Sequence, residues 1–497
     1  MTSKQSTTQF SDFYNEKGIA KKGIPYLRNL LKSDDPLDQL GEECGIFGVY
    51  SNHAIDTFSI AEFGMFALQH RGQEASGVSI LKEGQILTSK KDDLVLDMFK
   101  KIKNPDDFQQ GNAAIGHTRY TTAGDNSTKN FQPFYAVNQF GKTHLSFVHN
   151  GNVVGIEALR AQLIEKDLPF LGSSDSEVML RMIQSNLDKG IIEAIRLMSQ
   201  EIRGAYSILM LTKDGLIAFR DPNGIRPLSI GKIDDNTHVF ASETPALQAV
   251  GASFVREVEP GEIVWVNDQG IKSYPMDPSL DKPSKCTLCS FEYIYFARPD
   301  SILEDIDVYE VRRESGKKLF EQAPVEADLV IGVPDSGIPA AVGYSEASGI
   351  PYEPILIKNR YMSRSFIIPT QAMRERVVNL KLNPVISRIK GKRLVVIDDS
   401  VVRGTTSKRL IKILLDAGAK EVHFRSASPP IIAPCFLGID MPSKKDLISA
   451  NLDKESLREF LGVDSLDFLS VENLKEILKQ REYCFGCFTE NYPVSKD

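Results

Sequence analysis

Apolar runs and polar stretches alternate along the chain in two patterns, separated by a linker-like segment. Residues 1–43 are polar and carry few strand signals, and the apolar run 44–50 then begins abruptly and predicts a buried strand. From there to about residue 265, runs such as SFVHN, AYSILML and EIVWV predict strands, and 176–188 predicts a helix. The segment 267–285 is rich in Asp, Pro, Lys and Ser, which is typical of a linker.

Beyond this linker the pattern changes to strand, loop, helix and strand. Residues 329–333 and 394–397 are apolar throughout, as buried strands of a parallel sheet are. Residues 407–417 predict a helix with an apolar stripe along one face, and 452–481 predicts two further amphipathic helices. The second part of the chain is therefore expected to contain a parallel sheet.

Length and composition narrow the class of protein. A chain of 497 residues is too long for one hydrophobic core and predicts two or three domains. With 59 Lys and Arg against 66 Asp and Glu, its net charge of -7 argues against a dedicated nucleic-acid binder. It has neither a bilayer-spanning apolar run nor a secretory signal, so we predict a cytoplasmic protein with no membrane contact. There, its six cysteines are catalytic, metal-binding or buried rather than paired in disulfides.

Cys44, in the sequence Glu-Glu-Cys-Gly-Ile-Phe-Gly, is a candidate nucleophile. A thiol has a pKa near 8.5 and needs a base, and a free α-amino group with a pKa of about 7.7–8.0 would provide one if the chain began at Cys44. Alternatively, Cys44 is a small buried residue at the start of a strand, an interpretation that this heptapeptide alone favours. Four further motifs follow it in the sequence: LQHRGQEASG, GHTRYTT, HNG and SSDSE.

Side chains in these motifs suit an amino-acid substrate with an amide. Arg119 could pair bidentately with an α-carboxylate, and Asp175 suits an α-ammonium group. The Asn150 amide and the Gly151 N–H could stabilise an oxyanion. Each motif alone is a weak signal, because Asn-Gly turns, for example, are common.

Together the five motifs resemble those of the class II glutamine amidotransferases, members of the N-terminal-nucleophile hydrolases, and stand in that family's order. The resemblance implies a four-layer αββα sandwich over 44–275, preceded by a propeptide, 1–43, that is removed. It implies that Cys44 is the nucleophile, that its own amine is the base, and that Asn150 and Gly151 form the oxyanion hole. The implied glutamine-binding residues are Arg119, Thr122 and Asp175.

The string RLVVIDDSVVRGTT, 393–406, is the second strong signal. It predicts an apolar strand, two carboxylates, a Gly/Ser/Thr loop and a helix, and backbone N–H groups at such a loop bind phosphate. Asp398 and Asp399 could bind ribose hydroxyls or a diol bridged by Mg²⁺. The alternative is a capped strand-to-helix turn with two solvated carboxylates, and the complete string counts against it.

This string resembles the signature of the type I phosphoribosyltransferases, which bind phosphoribosyl pyrophosphate (PRPP). The resemblance implies an α/β domain over 276–497 that ends in helices. GVPDSG, 332–337, resembles the pyrophosphate loop, and KNRYMSRSF, 358–366, resembles the loop that closes over PRPP, although alone it could be a solvated basic loop. The implied PRPP ligands are Asp335, Ser336, Lys358, Asp398, Asp399, Ser400, Arg403, Gly404, Thr405 and Thr406. Those implied to hold one Mg²⁺ per subunit are Ser336, Asp398 and Asp399.

Five cysteines remain. The pairs Cys286-x-x-Cys289 and Cys484-x-x-Cys487 have chelating spacing, so the residues alone predict a Cys₄ zinc site. One subgroup of the enzymes that join these two domains carries a propeptide and a [4Fe–4S] cluster. Its cluster ligands resemble, in their sequence context, Cys289, Cys435, Cys484 and Cys487. The resemblance implies one cluster per subunit, structural or oxygen-sensing, and leaves the role of Cys286 open.

A chain with both domains is expected to release ammonia from glutamine and add it to C1 of PRPP. The products would be 5-phosphoribosylamine, glutamate and pyrophosphate, in the first committed step of purine synthesis. The resemblance also implies inhibition by purine nucleotides and a homo-oligomer, either dimer or tetramer. Two alternatives are an amidotransferase with another acceptor, which the string DDSVVRGTT counts against, and a PRPP-sensing protein with a vestigial glutaminase. The intact set Cys44, Arg119, Asn150 and Asp175 counts against the second alternative.

Overall fold

The described residues form two compact units. The computed structural model describes residues 44–120, 128–138, 140–279, 285–358, 382–479 and 481–496. The first unit contains the described residues up to Glu314, together with Cys435–Met441 and the residues from Glu472 on. The second unit contains the described residues of Ser315–Pro434 and Pro442–Val471.

The predicted boundary between residues 275 and 276 puts all the candidate cluster cysteines in the second domain, whereas this division puts them in the first unit. The described residues of 276–314 and the segments that carry Cys435, Cys484 and Cys487 belong to the first unit. Three predictions lie wholly or largely outside the described residues: the propeptide 1–43, Thr122, and the loop 358–366 beyond Lys358.

Two antiparallel sheets form the centre of the first unit. Their strands are β1 (Gly45–Ile55), β2 (Ala75–Lys82), β3 (Gln85–Lys91), β4 (Gly111–Arg119), β5 (Phe134–Val137), β6 (Thr143–Val154), β7 (Arg203–Thr212), β8 (Gly215–Arg220), β9 (Ser229–Asp234), β10 (Thr237–Ala241), β11 (Ser253–Glu257), β12 (Glu262–Asn267) and β13 (Gly270–Pro275). One sheet has the strand order β11-β9-β10-β1-β4-β2-β3, and the other has the order β13-β12-β8-β7-β6-β5.

Helices pack on the outer faces of these sheets. They are α1 (Thr57–Ala67), α2 (Val95–Lys100), α3 (Ile156–Glu165), α4 (Asp175–Gln184), α5 (Ile191–Glu201) and α6 (Thr244–Ala249). Successive side chains of a strand point to opposite faces. Phe47 of β1 therefore packs with Met65 of α1, whereas Ile46 packs with Val148 between the two sheets. Phe147 faces the helices of the second sheet. The first unit is thus the predicted αββα sandwich, and the 44–50 run is apolar because both faces of β1 are buried.

Short elements follow in the first unit. They are β14 (Leu288–Cys289), a π-helix (Glu292–Phe296), β15 (Ile302–Leu303) and β16 (Ile306–Asp307). Helix α7 (Val308–Gln322) then leads the chain into the second unit. No helix among the described residues has both the length and the apolar character that crossing a membrane requires.

A parallel sheet is the centre of the second unit. Its strands, in spatial order, are β17 (Leu329–Gly332), β20 (Arg393–Asp398), β21 (Glu421–Ser426) and β22 (Ser465–Phe468), and a separate pair is β18 (Leu356–Lys358) and β19 (Leu382–Pro384). The remaining elements of the chain are α8 (Ile338–Ser348), α9 (Ile386–Ile389), α10 (Thr405–Asp416), α11 (Ile448–Asn451), α12 (Lys454–Leu461), α13 (Val471–Ile477), β23 (Tyr483–Cys484) and α14 (Gly486–Thr489). The parallel pairing of β17 with β20 confirms the prediction for 329–333 and 394–397.

Two sequence predictions of secondary structure are wrong in part. The predicted linker contains β13, a largely exposed edge strand whose polar residues gave it the composition of a loop. The predicted pair of helices in 452–481 exists as α12 and α13, but β22 lies between them. Only two of its four residues, Leu466 and Phe468, are buried, which is too short a pattern to stand out in sequence.

Candidate functional site

Cys44 lies where β1 begins and β4 ends. Its side chain is buried, and its thiol donates to the carbonyl oxygen of Tyr120 at 3.5 Å. Gly45 is paired with Thr118 across the antiparallel ladder, and the register therefore brings Cys44 next to Arg119. A Cβ at Gly45 would lie 2.7 Å from the Thr118 hydroxyl oxygen, so the two strands approach closely here. The structure thus brings together two of the predicted site residues.

Arg71, from the second sequence motif, holds the main chain of Cys44. Its fully buried guanidinium donates from Nε to the Cys44 carbonyl oxygen at 3.0 Å. Nη1 donates to Glu243 at 2.6 Å, and Nη2 donates to Glu292 at 2.8 Å. Although burial opposes ionisation of Glu243, His70 and Arg71 bring the pKa of its carboxyl well below the ordinary value. The nucleophile candidate is therefore anchored by a buried ionic network.

The buried guanidinium of Arg119 has donor groups that are not paired with any described residue. Arg119 is 4% exposed, and Nη1 donates to the Asn130 carbonyl oxygen at 2.5 Å. Nε and Nη2 are buried without a hydrogen-bond partner among the described residues. Unpaired buried donors cost free energy and are uncommon, so they call for an explanation. Two such donors on one guanidinium suit a carboxylate bound in bidentate fashion.

Asn150 and Gly151 lie within β6, which continues to Val154 rather than ending at the HNG motif as predicted. They pair with Ser207 and Tyr206 of β7. Asn150 is 2% exposed, and its Nδ2 has no hydrogen-bond partner in the part of the chain that the structure describes. Gly151 has φ +142°, and a Cβ there would lie 2.0 Å from the Ala205 carbonyl oxygen, so only glycine fits. An unused amide beside such a glycine suits oxyanion stabilisation.

Asp175 begins α4 and connects that helix to β6. One carboxylate oxygen accepts from the Val153 N–H at 2.9 Å, and the other accepts from the Ser176 N–H at 2.7 Å. A carboxylate has about four acceptor positions, so these bonds leave capacity for an ammonium group. Asp175 therefore lies beside the strand that carries the oxyanion candidates, with one carboxylate oxygen 3.8 Å from His149 Nδ1.

Two buried histidines contribute no positive charge to this site at neutral pH. His117 Nε2 lies 3.2 Å from the His149 carbonyl oxygen and links β4 to β6. Burial, with the nearby charge of Arg119, holds the pKa of His117 well below 6.5. Burial also lowers the pKa of His149, although Asp175 acts in the opposite direction. Both imidazoles are therefore neutral at pH 7, and Arg119 supplies positive charge.

Three of the four predicted cluster cysteines influence one another's ionisation. Cys289 and Cys484 are neighbours on the parallel ladder of β14 and β23, and Cys487 lies on α14. Burial, with Cys435 nearby, raises the pKa of Cys484 to about 11. Burial, with Cys435 and Cys484, also raises the pKa of the Cys487 thiol well above its ordinary value. Cys286 contacts other groups, because its sulfur lies 3.8 Å from the Gly224 carbonyl oxygen and 3.9 Å from Arg220.

The donor chemistry of these cysteines suits a soft metal centre, since thiolates hold iron–sulfur clusters and zinc. Buried thiols with raised pKa values must lose their protons to bind a metal, and the positive charge of the metal favours that deprotonation. The described residues nevertheless contain no group of three or more histidine, cysteine, aspartate or glutamate side chains arranged to hold a metal ion. The residue types therefore fit the predicted cluster, whereas the present side-chain arrangement does not form its cage.

The segment that carries Cys435 packs against the strand of the oxyanion candidates. The Phe436 carbonyl oxygen accepts from Asn152 Nδ2 at 2.9 Å. The Leu437 carbonyl oxygen accepts from Arg226 Nη2 at 2.7 Å, and Arg226 also lies 3.5 Å from Glu292. A Cβ at Gly438 would lie 3.1 Å from the Gly151 main chain. The sequence did not predict this contact between the cysteine segment and β6.

In the second unit, two loops meet at the carboxyl edge of the parallel sheet. Gly332 at the end of β17 is paired with Ile397 near the end of β20. The loops that follow these strands, 333–337 and 399–404, therefore lie side by side, at the edge where open α/β sheets bind ligands. Gly404 has φ +76° directly before α10, and a Cβ there would lie 2.8 Å from Ile448. This geometry places main-chain N–H groups of α10 toward the loop.

Hydroxyl and carboxylate groups from the two loops are in contact. Ser336 donates to Asp399 at 2.5 Å, and Ser400 donates to the other oxygen of Asp399 at 2.7 Å. The Asp399 N–H donates to the Asp398 side chain at 3.0 Å, and both carboxylates are buried. Lys358 pairs with the exposed Asp335 at 2.7 Å. Two carboxylates and a hydroxyl are hard oxygen ligands, and they fit a Mg²⁺ that shares its coordination with substrate.

The described positions of the remaining predicted ligands are consistent with one phosphate site. Arg403 and Gly404 lie in the loop, and Thr405 and Thr406 form the first turn of α10. Helix α10 confirms the prediction for 407–417, and Leu410, Ile411 and Leu414 form its buried stripe. Sequence reasoning missed Arg71, Asn130, Gln132 and Glu292. Arg71 lies in the LQHRGQEASG motif, whereas Asn130 and Gln132 carry no signal of charge or spacing.

Comparisons with known proteins agree with this geometry. Residues 117–249 match a glutamine amidotransferase domain, and residues 302–427 match a phosphoribosyl transferase domain. The chain is 44% identical to the amidophosphoribosyltransferase of Methanothermobacter thermautotrophicus, over 92% of this chain and 95% of the relative. The same figures hold for the Bacillus subtilis amidophosphoribosyltransferase. The solved structure of glutamine PRPP amidotransferase from B. subtilis, complexed with ADP and GMP, matches with a TM-score of 0.84 and 42% identity. That match covers 91% of this chain and 98% of the other.

The fold and the site define a glutamine amidotransferase joined to a phosphoribosyltransferase, which confirms the predicted fold class. The described residues of the glutamine motifs lie in the first unit, and those of the PRPP motifs lie in the second. The chain belongs to the amidophosphoribosyltransferase family. It is an enzyme that transfers ammonia from glutamine to PRPP, the first step of purine biosynthesis.

Proposed function

We propose that Cys44 attacks the glutamine amide and that Asn150 and Gly151 stabilise the oxyanion. The thiolate forms a bond to the amide carbon, and the resulting oxyanion accepts hydrogen bonds from Asn150 Nδ2 and the Gly151 N–H. The carbon–nitrogen bond then breaks as the nitrogen takes up the proton that the thiol lost to the base, ammonia leaves, and water hydrolyses the thioester to glutamate and the free thiol. Asn150 Nδ2, which is buried and has no hydrogen-bond partner among the described residues, supports this role.

Nε and Nη2 of Arg119, which have no hydrogen-bond partner in the described part of the chain, carry the assignment of the glutamine site. They are proposed to bind the substrate α-carboxylate, while Asp175 binds the α-ammonium group. Thr122, outside the described residues, is proposed to lie near the substrate carboxylate. The base is proposed to be the α-amino group of Cys44, exposed when residues 1–43 are removed, because its ordinary pKa of about 7.7–8.0 suits proton transfer at neutral pH.

The second unit is proposed to hold PRPP between its two loops. Ser400, Arg403, Gly404, Thr405 and Thr406 would surround the 5′-phosphate, as the N–H groups at the start of α10 allow. Asp335, Ser336 and Lys358 would contact pyrophosphate, and Asp398 and Asp399 would bind ribose. Ammonia forms a bond to C1 as the bond to pyrophosphate breaks. Mg²⁺, held by Ser336, Asp398 and Asp399, would neutralise pyrophosphate charge when bound.

A [4Fe–4S] cluster is proposed for Cys289, Cys435, Cys484 and Cys487, which belong to the same unit. Its role would be structural or oxygen-sensing, since these cysteines are not among the residues proposed to contact substrate. Purine nucleotides are proposed as inhibitors at the PRPP site, because the similar B. subtilis structure is a complex with ADP and GMP. We further propose a cytoplasmic homo-oligomer, dimer or tetramer.

The test separates the two half-reactions. Cys44→Ala should abolish synthesis of phosphoribosylamine from glutamine but retain synthesis from concentrated ammonia at raised pH. Asp398→Asn combined with Asp399→Asn should abolish synthesis from either nitrogen source and leave a low glutaminase activity. Cys286→Ala is the matched cysteine control and should keep both reactions. A folded Cys44→Ala enzyme that is inactive with either nitrogen source would refute the two-site assignment.

A further inference from the structure

The side chain of Gln132 holds both main-chain groups of one residue in β6. Gln132 is 4% exposed. The His149 N–H donates to its Oε1 at 2.7 Å, and its Nε2 donates to the His149 carbonyl oxygen at 3.1 Å. His149 directly precedes Asn150, whose amide is proposed to stabilise the oxyanion. Gln132 itself is not among the residues proposed to contact glutamine.

These bonds replace a strand partner that β6 lacks at this point. Strand β5 starts at Phe134, which is paired with Phe147, so the β5 ladder ends before His149 is reached. Pro133 precedes β5 and has no N–H to donate. The Gln132 side-chain amide offers the same donor and acceptor as a peptide group, and it continues the hydrogen bonding where the main chain does not.

The segment that carries Gln132 is itself held in place. Lys90 donates to the carbonyl oxygens of Phe131 and Pro133, at 2.6 and 3.2 Å. Asn130 accepts from Arg119 through its carbonyl oxygen and bonds Ser173 through its side chain. The main chain around Gln132 is therefore held in place by hydrogen bonds, and it lies next to groups of the proposed glutamine site.

We propose that Gln132 is a positioning residue that fixes the Asn150 amide in the oxyanion hole by holding the main chain of His149. The proposal rests on the proposed role of Asn150. On the far side of Asn150, Gly151 departs from ordinary strand geometry with φ +142°. Without Gln132, the residue pair 149–150 keeps β7 as its ladder partner, and the His149 carbonyl oxygen keeps its contact with His117 Nε2, but the His149 N–H loses its side-chain acceptor.

The main variant is Gln132→Met, which keeps the side-chain length and removes both hydrogen bonds to His149, together with a longer one from Nε2 to the Ser176 hydroxyl at 3.4 Å. A displacement of about 1 Å in a catalytic group can cost about 10²-fold in rate. We expect glutaminase kcat to fall by roughly 10- to 100-fold, less than the 10²–10³-fold typical of losing an oxyanion donor, as in Asn150→Ala. The KM for glutamine should change little, because Arg119 and Asp175 are untouched.

An aldehyde analogue of glutamine separates positioning from general damage. Its tetrahedral adduct with Cys44 places an oxyanion where Asn150 points, whereas glutamate occupies the site without forming a covalent adduct. Gln132→Met should weaken inhibition by the aldehyde by about the same factor as kcat and leave inhibition by glutamate nearly unchanged. Gln132→Glu, which keeps the acceptor but not the donor, is the second variant. Fluorescence of Trp265 in β12, the single tryptophan, reports folding of the first unit.

Ser146→Ala is the matched control, because Ser146 also makes a buried side-chain hydrogen bond from β6, to Ser79 at 2.7 Å. It should lower stability without changing the ratio of aldehyde to glutamate affinity. In an Asn150→Ala background, Gln132→Met should add little, since residues that act through one group are not additive. Equal losses of aldehyde and glutamate affinity, additive effects on kcat, or loss of folding in both Gln132 variants would overturn the proposal. A normal rate in Asn150→Ala would instead refute the proposed function.

Discussion

Replacing Glu292 by glutamine should destabilise the first unit strongly. Glu292 is fully buried and accepts from Arg71 at 2.8 and 3.0 Å, and it lies 3.5 Å from Arg226. With Glu243, the network balances two guanidinium groups with two carboxylates. Glutamine keeps the shape and one acceptor oxygen but leaves one buried positive charge without a counter-charge.

The magnitude follows from the distances. Opposite charges with centres about 4 Å apart attract by about 4 kcal/mol at an effective dielectric constant of about 20. Removing one partner of a buried ion pair typically costs about 3–5 kcal/mol. Because the amide retains an acceptor, we expect Glu292→Gln to lower the free energy of unfolding by about 3 kcal/mol.

Urea unfolding followed by Trp265 fluorescence measures this loss in the first unit. The control is Glu482→Gln, which breaks an exposed pair with Lys285 at 2.6 Å and should cost only about 0.2–1 kcal/mol. High salt should shrink the effect of the control and leave that of Glu292→Gln nearly unchanged, since buried pairs are poorly screened. A loss below 1 kcal/mol, or one that salt removes, would show that the network does not act as a buried ion cluster.

Three further outcomes are expected. Burial raises the pKa of Glu257 from 4.5 to about 7, so the folded protein keeps a proton that the unfolded chain loses, and stability should fall as pH rises across this window. Glu257→Gln should flatten that slope in urea unfolding, and an unchanged slope would contradict the assignment. Cys484→Ser should lose the brown colour and about four irons per chain of anaerobically purified protein, whereas Cys286→Ser keeps them; stoichiometric zinc would contradict the cluster. N-terminal sequencing of active protein should begin at Cys44, and an active enzyme that retains 1–43 would contradict the proposed base.

The sequence predicts best those features that depend on neighbouring residues. The apolar runs around Phe47, Leu329 and Leu394 lie in buried strands, and the loop after Asp399 leads into α10 as expected. These features follow from side-chain periodicity and turn chemistry, which act over a few residues. The order of motifs was sufficient to predict the fold class, which the comparisons confirm.

Features that depend on distant pairing could not be predicted. Arg71 and Glu292 are 221 residues apart, and neither side chain indicates in sequence that the other is its partner. Gln132 is an ordinary polar residue until β5 is seen to end short of His149. The exposed edge strand β13 has the composition of a loop because only its hydrogen bonds, and not its side chains, make it a strand.

The contact between Asn152 and Phe436 has a consequence for the order in which the protein is made. These residues are 284 positions apart, and Gly438 packs against Gly151 over a similar separation. A ribosome that adds about 5–20 residues per second needs roughly 15–60 s to synthesise the intervening chain. In the later part of that interval, after β13 has been synthesised, β6 still lacks the segment that covers Gly151. That segment is made only after the parallel-sheet strands β17, β20 and β21, so the loops of the proposed PRPP site precede the last piece of the glutaminase unit that packs on β6.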